Sequence, residues 1–418
     1  MATVSDESIG LQPIPRVEFV EKFLEHINPI EGIEYLPLEE CGGRILAKDM
    51  VSRYMLPSGR TAGGDSVVMR WSAFKDGNPT PEQTAQWVEG VDWAHADMGD
   101  DFADIFDCAT RVESVEFLDN GGIRLTDDPP HIIGPEGIKQ PGSTMQVGDP
   151  LLSAGEVLTP TTMALLASAG HTIIPVRRKV RIAFIPTGSE LCTAGEVLQR
   201  GKTPDSNSYM IRQLIINAGA EPVMFPIIVD TKEALADALA RAREVADLVL
   251  INGGSSKGSE DFNAILLSEG ASFYHHGVLL RPARVAAASV IDGIPHVNLP
   301  GPTMAAHVVW EWCVRHALAK LQGIETPARA KIKAELIQPK GGKGPGHGPK
   351  PGGPKPGGMR APEEHMSFYN VTFEDGRYVA RTASRDEGPA STLRVNAVRI
   401  SMMGEKPSED GLIEVEML

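Results

Sequence analysis

The spacing of apolar residues changes character along the chain, and each change marks a region. After Pro15, the residues Phe19, Val20, Phe23, Leu24 and Ile27 share one face, which predicts an amphipathic helix of about three turns opened by the proline. From Tyr35 to about Val180 the apolar runs are short (VESVEFL, HIIGP) and broken by Gly, Pro and Asp. That is the pattern of small β-rich units, with a helical exception at TTMALLASAG.

From Val180 the pattern becomes regular. VRIAFIPTG, EPVMFPIIVD, DLVLINGG and HVNLPG read as strands. Between and after them, SYMIRQLIINAGA, TKEALADALARAREVA, SEDFNAILLSEG and HVVWEWCVRHALAKL read as helices. The first of these turns Met210, Ile211, Leu214 and Ile215 inward, with Gly219 near its end; the second does the same with Leu235, Leu239 and Val245. Asp230 and Glu233 form a candidate capping box for the second. Strands alternating with helices imply a three-layer α/β domain with a mainly parallel sheet. Its ligands belong at the carboxyl ends of the strands, where PTGSEL, GGSSKGSED and LPGPT fall.

Beyond Gln338, PKGGKGPGHGPKPGGPKPGG has nothing to pack and reads as a solvated linker, with His347 a bystander. The tail from Met366 alternates apolar and polar residues (FYNVTF, RYVAR, LRVNAVRI), as a small β domain does. The expected fold class is therefore multidomain α/β plus β. We divide it into 1–34 with 145–179 as an N-terminal helical and linker domain, and 35–144 as a β-rich domain. The α/β domain is 180–325 and the C-terminal β domain 330–418, with its linker at 339–360.

Charge narrows the function. A formal charge of −15 over 418 residues argues against a general nucleic-acid or membrane-surface binder, while leaving room for a locally positive pocket. Cys41, Cys108, Cys192 and Cys313 lie far apart with no C-x-x-C pair, which fits reduced thiols in a cytoplasmic protein. Neither a signal peptide nor an apolar run of membrane-spanning length is evident.

The candidate chemistry sits in the strand-end loops. A turn leaving a parallel strand for a helix aims N–H groups and positive helix potential at its ligand. Gly253, Gly254 and Gly258 would let backbone approach closely, Ser255 and Ser256 would donate hydrogen bonds, and Lys257 would add a point charge. The same glycines also suit a plain tight turn. Glu190, Asp205 and Asp261 follow strand ends of one sheet, and carboxylates beside a phosphate cradle suit a divalent ion; Asp205 and Asp261 also suit helix caps. Arg281 and Arg284, flanking a proline turn, suit bidentate recognition of phosphate or a tetrahedral oxyanion.

Taken in order, TGSEL, PDSNSYMIRQLIINAGAEPV, INGGSSKGSEDF, HHGVLLRPAR and NLPGPTMAA resemble the MoeA family, the molybdopterin molybdenumtransferases related to the gephyrin E domain. LPLEECGGRILAKDMVSRYMLP and VGDPLLSAGEVLTPTTMALLASAG extend the resemblance towards the N-terminus. It implies a MogA-like α/β domain in an elongated homodimer, with a divalent metal such as Mg²⁺. The implied substrates are adenylylated molybdopterin and molybdate, and the implied products molybdenum cofactor and AMP. Glu190, Asp205, Asp230 and Asp261 match the family's acids, and Gly253, Gly254 and Gly258 its glycine turn. Pro300 and Gly301 match its L-P-G-N-P, and Arg281 and Arg284 stand where it has lysines. Asp65 is retained from a rewritten loop, whereas Thr144 replaces an expected aspartate and Ala305 an expected serine. The resemblance thus assigns Asp65, Glu190 and Asp261 to catalysis. Ser255 and Lys257 join the glycines, the arginines, Pro300 and Gly301 in substrate binding, and Glu190, Asp205, Asp230 and Asp261 take the metal. The departures keep open a non-catalytic relative that carries molybdopterin to a partner such as a molybdoenzyme. The fold also admits an adenylyltransferase.

Overall fold

The computed structural model describes residues 10–127, 129–253, 262–337, 363–382, 393–402, 405, 407–408 and 410–418, so the linker 339–360 lies outside the described residues. Contacts divide the chain into two compact units, Ile33–Arg177 and Met1–Gly32 with Arg178–Leu418.

In the first unit the β-rich pattern gives several small sheets. Ile33–Pro37 pairs antiparallel with Ile173–Arg177, and Ser66–Met69 lies between Trp93–Ala96 and Cys108–Arg111. Helix Pro160–Ser168 is capped by Thr159, whose side chain accepts from the Thr162 N–H. VESVEFL is only partly extended: Val112–Ser114 is a 3₁₀ turn and the strand is Val115–Phe117. From HIIGP, Ile133 bridges to Ala109.

The second unit is built on a six-stranded sheet. Its order is Glu221–Met224, Arg181–Pro186, Leu248–Asn252, Ile294–Leu299, Ala287–Ile291, Phe273–His276. The first four strands are parallel and the last two antiparallel to their neighbours. Arg181–Pro186 and Leu248–Asn252 are buried almost throughout, because helices cover both faces; this is why they read as unbroken apolar runs. Helix Asn207–Asn217 buries Ile211 and Ile215 in the larger core, and helix Lys232–Val245 buries Leu235 and Leu239 in the smaller one.

Three expectations change in detail. Val245 is 39% exposed, because it ends its helix and the next residue, Ala246, turns into the core instead. That helix is capped by Thr231, whose Oγ1 accepts from the Ala234 N–H at 3.3 Å, so Asp230 is not its capping residue. The N-terminal helix Arg16–Leu24, with Pro15 just ahead of it, packs inside this second unit: Phe19 meets Trp312 edge-on at 5.2 Å and Phe23 stacks on Phe273.

The long terminal helix of the α/β region runs from Thr303 to Gln322, with a π turn at Trp310–Val314 that buries Glu311. There both Glu311 carboxylate oxygens accept from Arg329 Nη2, at 2.7 and 2.9 Å, and Glu311 pairs with Arg315 at 3.4 Å and His307 at 3.5 Å. The tail closes into a barrel of Glu364–Glu374, Arg377–Thr382, Lys331–Ile337, Leu412–Met417 and Ala397–Met402, since the last strand pairs back with the first. Closure pairs each of these strands with two others, and the start of Glu364–Glu374, ahead of its pairing with Arg377–Thr382, keeps one side open. Leu280–Arg281 adds to this barrel in parallel with Glu364–His365. Among the described residues no helix is long and apolar enough to cross a membrane. The four cysteines are free; Cys41, Cys108 and Cys313 are buried.

Candidate functional site

The carboxyl ends of Arg181–Pro186, Leu248–Asn252 and Ile294–Leu299 bring three turns together. The Thr187 N–H donates to Asn252 O at 2.9 Å, and the Gly253 N–H donates to Leu299 O at 3.1 Å. Gly253 sits at φ +124°, and a Cβ there would lie 2.2 Å from the carbonyl oxygen of Thr187. Only glycine satisfies both conditions, so its first role is geometric: it lets two strand exits press together. Its own N–H is already engaged.

Four buried asparagines frame these turns. The Asn252 side-chain amide donates to Pro300 O at 2.8 Å, and its oxygen accepts from Asn207 Nδ2 at 2.7 Å. Asn207 Nδ2 also donates to Gly301 O at 2.7 Å. Asn263 Nδ2 donates to Gly253 O at 2.8 Å and contacts the Asn298 side chain at 3.2 Å. Every one of these amides holds a carbonyl or another amide of the frame, which satisfies buried backbone that the tight turns would otherwise leave unpaired. Asn207 Oδ1 is buried and accepts no hydrogen bond from the described residues. Sequence reading passed over all four asparagines. The available signal was an amide closing apolar strands (LVLIN, HVNL) or opening a helix (DSNS, DFN).

The acids behave differently from one another. Asp205 is buried, and its Oδ1 accepts from the Ser208 N–H at 3.0 Å while Oδ2 accepts from the Ser208 hydroxyl, so it caps helix Asn207–Asn217. Asp230, free of the cap expected of it, accepts from Thr187 Oγ1 at 2.6 Å and steadies the first turn. Glu190 is exposed; its backbone carbonyl accepts from the Thr203 N–H at 2.9 Å. Asp65 is exposed in the other unit, where its carboxylate accepts from the Met98 N–H at 2.9 Å. Gly254, Ser255, Lys257, Gly258 and Asp261 lie outside the described residues. Carboxylate oxygens are the donors a hard divalent cation takes, so the chemistry of Glu190, Asp205 and Asp230 suits magnesium. Among the described residues, however, no three metal-ligating side chains converge.

The strand pairing Ala287↔Asn298 places the segment before Ala287, with Arg281 and Arg284, at this same end of the sheet. Both guanidiniums are half exposed and both face Glu363: Arg281 Nε donates to its Oε2 at 3.0 Å, and Arg284 lies 3.6 Å from its Oε1. His365, next in the barrel strand, is held neutral by burial and secondarily by the Arg281 charge, which together lower its pKa. The described residues therefore offer an amide-framed turn at the sheet centre and a pair of arginines with one carboxylate to one side. Such a site suits an elongated ligand with phosphate or oxyanion groups.

A family model described as a probable molybdopterin binding domain matches residues 183–320, and one described as the MoeA N-terminal region (domain I and II) matches residues 14–170. The molybdopterin molybdenumtransferase of Haemophilus influenzae is 27% identical over 317 residues, covering 72% of this chain and 76% of that protein. That of Bacillus subtilis is 26% identical over 340 residues, covering 78% and 79%. The crystal structure of the molybdopterin biosynthesis MoeA protein from Pyrococcus horikoshii superposes with a TM-score of 0.73 at 21% identity, covering 97% of this chain and all of that one. With its N-terminal region and its molybdopterin-binding domain matched in succession, the chain belongs to the MoeA family.

Proposed function

We propose that this protein acts in molybdenum cofactor biosynthesis, inserting molybdate into adenylylated molybdopterin and releasing AMP. The observation that carries the reading is the turn at Gly253, pressed onto Thr187 and framed by asparagines at the carboxyl end of a parallel sheet. The relatives named for this transfer span most of the chain.

In this reading the glycine turn and the loop beginning at Pro300 receive the phosphates. Gly253, Gly254, Gly258 and Gly301 keep side chains out of the way, while Ser255 and Lys257 hydrogen-bond and neutralise. Arg281 and Arg284 hold an oxyanion. Glu190, Asp205, Asp230 and Asp261 are the proposed carboxylates for a divalent cation, which when bound would neutralise charge on the phosphoanhydride. Glu190 and Asp261 are the proposed groups that orient the hydrolytic water, and Asp65 is proposed separately as a catalytic carboxylate. We assign the working protein to a homodimer in the cytoplasm, the compartment its unpaired thiols suit.

The test is AMP release from adenylylated molybdopterin with Mg²⁺ and molybdate, beside a binding titration without molybdate. Molybdate-dependent release is expected. Tight binding without release would instead make the protein a carrier.

A further inference from the structure

The two arginines assigned to an oxyanion are already facing an anion. Glu363 stands just ahead of the barrel strand Glu364–Glu374, and that strand is stitched to the arginine segment. The Glu364 N–H donates to Leu279 O at 2.9 Å, and Arg281 pairs in register with His365. The neighbouring Glu364 is committed elsewhere, to Arg16 at 2.9 Å. Among the described residues, Glu363 alone is directed at Arg281 and Arg284.

Its setting is unlike that of a purely structural ion pair. The Glu363 side chain is 14% exposed, whereas those of Arg281 and Arg284 are 49% and 44% exposed. The carboxylate thus lies beneath two guanidiniums that remain open to solvent. Its Oε1 is buried and accepts no hydrogen bond from the described residues, being only within ion-pair range of Arg284. Buried carboxylate oxygens are ordinarily hydrogen-bonded. One carboxylate also cannot neutralise two guanidiniums, so with His365 neutral the group keeps an excess positive charge facing outward.

We propose that Glu363 is a built-in competitor that occupies the Arg281–Arg284 fork and lowers its affinity for tetrahedral oxyanions. The proposal rests on reading the two arginines as the oxyanion-holding pair. Two half-exposed ion pairs of this kind contribute about 1 kcal/mol together, which converts to roughly five-fold in affinity.

The experiment is calorimetric titration of the full-length protein with sodium molybdate, for wild type, Glu363→Gln and the double variant Arg281→Ala/Arg284→Ala, with thermal melts to check folding. Glu363→Gln is nearly isosteric and is expected to bind molybdate about five-fold tighter, while the double variant loses saturable binding. Equal affinity for wild type and Glu363→Gln, with binding lost in the double variant, overturns the competitor and leaves the arginine site standing. Weaker binding by Glu363→Gln also overturns it, making the carboxylate a positioning residue for the arginines. Undiminished binding by the double variant overturns the arginine reading itself. No saturable binding by either wild type or Glu363→Gln overturns both.

Discussion

Gly253→Ala is the sharpest test of the frame. The added Cβ would stand 2.2 Å from the Thr187 carbonyl oxygen, where ordinary contact starts at 3.4 Å, and the obstacle is backbone, not a side chain that can swing away. The residue would also have to hold φ +124°, a region costing a residue other than glycine about 1–3 kcal/mol. Overpacking against a fixed neighbour adds about 1–3 kcal/mol. Together these put the variant about 2–6 kcal/mol above wild type, or roughly 4–12 °C in melting temperature at about 2 °C per kcal/mol for a domain of this size. Relief requires the Thr187 turn or the Gly253 turn to move, and both border the proposed phosphate site, so AMP release should fall with stability. The assay is a thermal melt followed by single-turnover AMP release on the fraction that stays folded. A Gly253→Ala protein that melts with wild type and turns over at the wild-type rate would refute the reasoning.

Gly301→Ala is the matched contrast: among the described residues a Cβ there meets nothing within 4 Å, so the melt should be unchanged while the Kd for ligand rises if the pterin phosphate approaches this backbone. Asn252→Ala strips Pro300 O of its amide donor and Asn207 of its acceptor, an expected loss of about 2–4 kcal/mol readable by urea denaturation. Chelation of divalent metal should abolish AMP release, and Mg²⁺ should restore it in wild type but not in Glu190→Gln. For Glu311, burial alone would raise the carboxyl pKa; the His307 hydrogen bond and the Arg329 and Arg315 charges outweigh it and hold the pKa below 4.5. That stabilisation is complete above the unfolded value and is lost as pH falls below about 4.5, so denaturation midpoints of wild type and Glu311→Gln should converge on acidification. His296 adds a separate window: burial, with a smaller push from Arg243, lowers its pKa to about 3, so the unfolded chain takes up its proton first and stability should decline as pH falls below 6.5. His296→Gln should flatten that decline.

How much of this was legible in the sequence depended on the range of the interaction. The α/β unit was legible because parallel strands covered on both faces read as apolar runs, and the glycine turns punctuated them where a ligand would sit. Asp230 was misread as a helix cap because a local rule, an acid three residues ahead of Glu233, was satisfied by the wrong partner. Its carboxylate turns to Thr187, 43 positions away, and Thr231 takes the cap. The asparagine frame escaped notice because an amide at a strand end has many innocuous readings until the carbonyl it holds is known. Glu363 was out of reach altogether: it lies 82 positions from Arg281, and only the pairing of Leu280–Arg281 with the barrel strand brings them together. Barrel closure was hidden for the same reason, since alternation along each strand does not say that the last strand returns to the first.

The site joins two kinds of construction that should respond differently to perturbation. Its centre is held by neutral amides bonded to carbonyls at short range, and such bonds are barely sensitive to salt. Its rim is a pair of half-exposed arginines sharing one carboxylate, and exposed charges are screened over a Debye length of about 8 Å at physiological ionic strength. Changes to Asn207, Asn252 or Gly253 should therefore alter stability and turnover by the same factor at low and high salt. Changes at Arg281, Arg284 or Glu363 should alter oxyanion affinity most at low salt and leave the melt almost untouched. A rim variant whose effect persisted unchanged in high salt would mean that the arginines act through fixed hydrogen bonds, and the rim would then belong to the frame.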